Sequence, residues 1–150
     1  MKIDVVQLAL KKQYTMELDL PCEEIRTASD TAPLFCREIG ALNIEHAAML
    51  SLDHTDRVIN FFVIAMGEIN TVRVPLEQML KNALLSNASK IIIAHNHPSG
   101  ILKVTSNDVE MTKKIAFFAN AFSIELVDSL VVTADDYVSI RMYCKELMDE

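Results

Sequence analysis

The segment Ile92-Ile93-Ala94-His95-Asn96-His97-Pro98-Ser99-Gly100 concentrates the reactive side chains of the chain. Its two imidazoles stand two residues apart at the end of a β-branched run. Side chains at i and i+2 of a strand project to one face, so His95 and His97 can converge on one point. Pro98 favours extended backbone at His97, and Pro-Ser-Gly supplies turn chemistry directly afterwards. Thr105-Ser106-Asn107-Asp108 then reads as a helix start, with Thr105 as N-cap and Asp108 in the first turn. By itself Thr-x-x-Asp is a capping pair. Beside two histidines whose burial costs stability unless something compensates, the same carboxylate completes a set of metal ligands. Two His, one carboxylate and a water form an open tetrahedral site of the catalytic zinc type, and the same ligand types also build an iron(II) facial triad.

A strand must aim the imidazoles and a helix must bring up the aspartate. Lys90-Ile91-Ile92-Ile93-Ala94 predicts a strand buried on both faces. Thr105 to Phe122 predicts a helix with Val109, Thr112, Ile115, Ala116 and Ala119 on one side. Upstream, Val6, Leu8 and Leu10 alternate with Gln7, Ala9 and Lys11, predicting a half-exposed first strand. Ser29-Asp30 opens a helix with Pro33 in its first turn, apolar positions Leu34, Phe35 and Ile39, and Gly40 just beyond. Strands at Ala47–Leu52 and Val58–Ala65 flank the polar hairpin residues Asp53-His54-Thr55-Asp56. Pro75 suits the first position of a helix carrying Leu76, Met79, Leu80, Ala83 and Leu84 at helical spacing. Ile124–Val132 and Tyr137–Ile140 read as strands, followed by a short acidic helix. The order β-α-β-β-α-β-α-β-β-α predicts an α/β fold, a three-layer α-β-α domain with a mixed sheet.

A length of 150 residues predicts one domain over 1–150, burying about 70% of its unfolded surface. Hydrophobic side chains make up 51%, which excludes disorder. With 14 basic and 21 acidic side chains the net charge is −7, so there is no general basic field and binding dominated by nucleic-acid phosphates is disfavoured. Cys22, Cys36 and Cys144 are scattered and form no CxxC, so neither a disulfide framework nor a thiolate metal site is indicated. There is no apolar run of ~18 residues and no basic-then-apolar leader, which predicts a cytoplasmic domain with reduced thiols and no membrane contact.

His95-x-His97-x7-Thr105-x2-Asp108 resembles the JAMM (MPN+) zinc metallopeptidase motif, E…H-x-H-x7-S-x2-D. The wider string LLSNASKIIIAHNHPSG, with DVEMTKKIAFFA following, is similar to the bacterial RadC-like branch of that superfamily. The resemblance runs from about the first strand to Val138-Ser139 and implies a JAB1/MPN, cytidine-deaminase-like architecture. It implies zinc held by His95, His97 and Asp108, with an upstream glutamate as general base. Glu45, just before the Ala47–Leu52 strand, stands where RadC-like chains carry that acid, and Glu68 is its rival.

Three departures from the family pattern bear on turnover. Thr105 replaces the usual Ser, and its methyl narrows the rotamer choice. Gly100-Ile101-Leu102-Lys103-Val104 lacks the usual Asp-Pro-Thr-Pro, and Asp128-Ser129 stands where Asp-His is frequent. The implied chemistry is hydrolysis of an amide or isopeptide bond in a protein or peptide substrate. Glu45 serves as proton carrier and Thr105 as donor to the oxyanion. The competing expectation is a metal-binding interaction module without turnover, associated with DNA repair through the family label. His95-Asn96-His97 is not an HNH nuclease signature. A zinc deaminase would need His-x-Glu and a later Pro-Cys-x-x-Cys, and neither is present.

Overall fold

The computed structural model describes residues 1–18, 20, 24–65 and 76–148. The expected helix start at Pro75, the rival base Glu68 and Cys22 lie outside them. A five-stranded mixed sheet forms the middle layer, in the order β2-β1-β3-β4-β5. Its strands are β1 (His46–Leu52), β2 (Val58–Ala65), β3 (Lys90–Asn96), β4 (Glu125–Val132) and β5 (Tyr137–Ser139). β3 and β4 run parallel, and the other neighbours pair antiparallel.

Alternation along the inner strands divides the core. Leu50, Leu52, Ile92, Ala94, Leu130 and Val132 pack on one face beneath the helical stretch of residues 28–40. That stretch contains a 3-10 turn (Ala28–Thr31), the short helix α1 (Ala32–Phe35) and a π turn (Cys36–Gly40). Ala47, Met49, Ile91 and Ile93 point to the opposite face, against Met79 and Ala83 of α2 (Leu76–Leu85) and Ile115 and Ala119 of α3 (Ser106–Ala121). A smaller cluster of Val104, Val131 and Ile140 seats α4 (Ile140–Met148). These are the three layers and the mixed sheet expected of an α/β domain. No helix among the described residues is long and apolar enough to cross a membrane.

Two local readings are corrected. The alternating stretch around Val6, Leu8 and Leu10 forms no strand, and these side chains stand exposed. Alternation suits a half-buried strand only where a sheet edge pairs with it, and no pairing is made there. The first helical stretch starts from Thr27 rather than Ser29-Asp30, because Asp30 closes a capping box back to Thr27. Gly40 is the last residue of that stretch and lets the backbone pass close to Thr133, since a Cβ there would lie 2.1 Å from the Thr133 carbonyl oxygen.

Candidate metal centre

β3 ends where the chemistry begins. Ile91, Ile93 and His95 share the face covered by α2 and α3, and the ladder continues one step further, through His97 N–H donating to Val132 O at 3.2 Å. Pro98 then ends the strand, because it has no N–H to donate. Gly100 N–H closes a turn onto His97 O at 2.9 Å, with Gly100 in the left-handed region at φ 75°. The turn returns the Ile101 carbonyl to the ring of His97, 2.9 Å from Nδ1. A proton held on Nδ1 by that carbonyl leaves Nε2 with its lone pair free, as in histidines that ligate metals.

Val104 is buried and anchors the other end of the loop, so that Thr105 caps α3. Thr105 N–H donates to Asp108 Oδ2 at 2.8 Å, and Asp108 N–H donates to Thr105 Oγ1 at 3.2 Å. The expected capping pair is therefore formed, and the Asp108 carboxylate also faces both imidazoles. Oδ1 faces His95 Nε2 at 3.0 Å, and Oδ2 lies 3.7 Å from His97 Nε2. One potential ligand atom from each of His95, His97 and Asp108 lies within 4.8 Å of the others.

This arrangement fits a metal ion. His95 Nε2 is buried, and although 3.0 Å from Oδ1 it finds no aligned hydrogen-bond partner. A buried nitrogen left in that state is costly, and a cation shared with the carboxylate removes the cost. Among the described residues no other cluster of His, Cys, Asp and Glu meets the same condition.

Glu45 reaches the centre through strand register. Ala47 of β1 pairs with His95 of β3, the last pair of that ladder, so Glu45, two residues before Ala47, lies at the end of the sheet where β3 presents its histidines. Glu45 lines a small cleft open to solvent, with His95, Asp108 and Ser129 and an apolar floor of Met79, Ile93, Met111 and Ile115. Burial raises the Glu45 carboxyl above its ordinary value, against the lowering pull of His95 and His97, and Asp108 adds to the rise. Burial also pushes Asp108 up, but His95 and the Thr105 backbone N–H outweigh it and hold the carboxyl at about 2. Two carboxyls in one cleft are thus driven apart, one fixed as an anion and the other closer to taking up a proton.

Thr105 is exposed at the helix start, its oxygen already accepting from Asp108 N–H. His46 and His54 do not join the cluster; His46 Nδ1 lies 3.0 Å from Ile44 O and His54 sits in the exposed hairpin. Sequence reasoning missed the part played by Ile101, whose contribution is a backbone carbonyl and has no residue-type signal. Ser129 is buried in the cleft wall. Asp128 turns to a different task, accepting from Ser139 Oγ at 2.6 Å and from Arg141 N–H at 3.2 Å at the start of α4.

Several curated proteins are similar to this chain in sequence. A 36% identical protein of Finegoldia magna, named UPF0758 protein, aligns over 110 residues, 73% of this chain and 49% of its own length. UPF0758 proteins of Chloroflexus aurantiacus (33% over 117 residues) and Methanococcoides burtonii (29% over 132 residues) align over 78% and 88% of this chain, and over 51% and 58% of themselves. The chain thus spans about half the length of the curated relatives it matches. The family model described as RadC-like JAB domain matches residues 25–146, from just before the helical stretch of residues 28–40 into α4 and across every residue of the cleft. The chain belongs to the RadC-like JAB domain family.

Proposed function

We propose that this domain is a zinc-dependent hydrolase of amide or isopeptide bonds in a protein or peptide substrate. The observation that carries the reading is the convergence of His95 Nε2, His97 Nε2 and the Asp108 carboxylate, with Glu45 in the same cleft. His95, His97 and Asp108 would hold the ion. When bound, zinc supplies Lewis acidity toward water and a scissile carbonyl. The protein's own part is proton traffic and orientation. Glu45, its carboxyl raised by burial, accepts a proton from the attacking water and returns it to the leaving amine. The Ile101 carbonyl keeps the His97 ring in one tautomer and orientation. Thr105 Oγ1 is occupied as an acceptor, which leaves its O–H to donate to a developing oxyanion.

The test compares zinc-loaded wild type with Glu45→Gln on a library of peptides and isopeptide-linked lysines. Glu45→Gln is expected to retain zinc and to lose about 10²–10⁴-fold in turnover. Equal rates in both would remove Glu45 as base. Zinc bound tightly with no cleavage of any member by wild type would instead mark a metal-binding module without turnover.

A further inference from the structure

Asn96 lies between the two histidines and is fully buried, at 0% exposure. Strand alternation sends its side chain to the opposite face of the sheet from His95. There the amide makes three hydrogen bonds, all to one segment fifty or so residues upstream in sequence. Oδ1 accepts from His46 N–H at 2.6 Å, and Nδ2 donates to Leu42 O and to Ile44 O, both at 3.1 Å. Those three backbone groups bracket Glu45, which precedes the first residue of β1 and has no ladder partner of its own. Leu42 and Ile44 are themselves exposed, so side-chain packing does little to hold the segment.

We propose that Asn96 is a positioning residue that works from the reverse face of β3. Its amide ties residues 42–46 to the strand carrying His95 and His97, and so sets Glu45 over the cleft. One strand would then fix both halves of the centre, the ligands through 95 and 97 and the base through 96. The fit is chemical as well as spatial. Two carbonyls and one N–H need a side chain with two donors and an acceptor in one plane, which Asn offers and Asp, Ser or Leu does not. The purpose assigned to the clamp rests on Glu45 being the base, whereas the clamp itself rests only on the three bonds.

The experiment uses the full chain loaded with Co2+ as a spectroscopic probe. Wild type, Glu45→Gln, Asn96→Asp and the double variant are compared at one pH, with amide hydrogen exchange on the same samples. Asn96→Asp keeps the shape but turns both donors into an acceptor facing two carbonyls; Asn96→Ala, which empties a buried site, serves as a second variant if it folds. The expected result is one Co2+ per chain in each single variant. The visible absorption of Asn96→Asp is expected to move to that of Glu45→Gln, with no further change in the double variant. Exchange at His46 N–H should rise about tenfold or more, as for loss of one or two hydrogen bonds, while Leu50 and Ile92 stay protected. Wild-type absorption and wild-type exchange at His46, with only a lowered melting temperature, would overturn the proposal and leave Asn96 as a core residue. If Glu45→Gln itself leaves the absorption unchanged, the reading of Glu45 fails. Exchange then decides the clamp alone, faster at His46 keeping it and unchanged removing it.

Discussion

Replacing Asp108 by Asn separates its cap from its charge. The amide oxygen can still accept from Thr105 N–H, but the negative charge facing His95 at 3.0 Å is gone. The carboxyl is held at about 2 against an ordinary value of 3.8. At roughly 1.4 kcal/mol per pH unit this corresponds to about 2 kcal/mol of folding stability, an upper bound because the cap survives in part. The sign follows from linkage: a depressed folded value gives stability that is present above the unfolded value and lost as pH falls through the folded one. In chelator-treated protein, wild type should therefore exceed Asp108→Asn by 1–2 kcal/mol, about the size of that bound, from pH 5 upward. The two urea-unfolding curves should merge as pH approaches 2, the folded value. Zinc then reads the ligand role separately. At a hundred times its dissociation constant the ion adds about 2.7 kcal/mol to wild type. A hundredfold weaker site in the variant keeps only about 0.4 kcal/mol. A His95→Ala/His97→Ala double variant supplies the zero. The reasoning is refuted if Asp108→Asn shows the full zinc-induced gain, or if its metal-free acid limb overlays that of wild type.

Three further perturbations follow from the same geometry. Gly100→Ala meets no atom within 4 Å, so its cost is the left-handed backbone alone. About 1 kcal/mol of stability should go, together with zinc affinity measured by chelator competition, because the turn delivers the Ile101 carbonyl to His97; wild-type affinity would mean the carbonyl does not orient the ring. Gly40→Ala drives a Cβ to 2.1 Å from Thr133 O, backbone against backbone. It should cost about 1–3 kcal/mol, several degrees in melting temperature by circular dichroism, and an unchanged midpoint would show that the two segments part freely. Thr105→Ala should lose about 1 kcal/mol by removing the cap of α3, with Thr105→Ser restoring it; equal losses from both would point to the methyl instead of the hydroxyl.

How far the site could be read from residues alone depends on how local each part is. His95, His97 and Asp108 lie within one strand, one turn and one helix start, so period-2 alternation and capping chemistry were enough to draw them together. The central strands are legible for the same reason: Ile91-Ile92-Ile93 is a short, β-branched apolar run, which favours a strand covered on both faces. The stretch around Val6, Leu8 and Leu10 shows the limit of that logic. Its alternation matches a strand, yet a strand exists only where another accepts its hydrogen bonds, and alternation carries no information about a partner.

Glu45 and Asn96 mark the boundary between local and non-local parts. Glu45 is indicated by family resemblance alone, because nothing in Asn43-Ile44-Glu45-His46 announces a functional acid. Its place follows from the antiparallel register of β1 on β3, a relation between residues about fifty apart in sequence. Asn96 carries no such signal, because the residue between two ligands on a strand reads as a spacer. On a strand there are no neutral spacers, since each intervening side chain is committed to the other face and must find partners there. For a buried Asn that obligation is severe, with three or four hydrogen bonds to be met away from water. The partners here are the backbone groups on either side of Glu45. A polar residue between two ligands of a buried strand is therefore informative in its own right. Here it leads from the reverse face of β3 to the backbone of residues 42–46, the segment that contains Glu45.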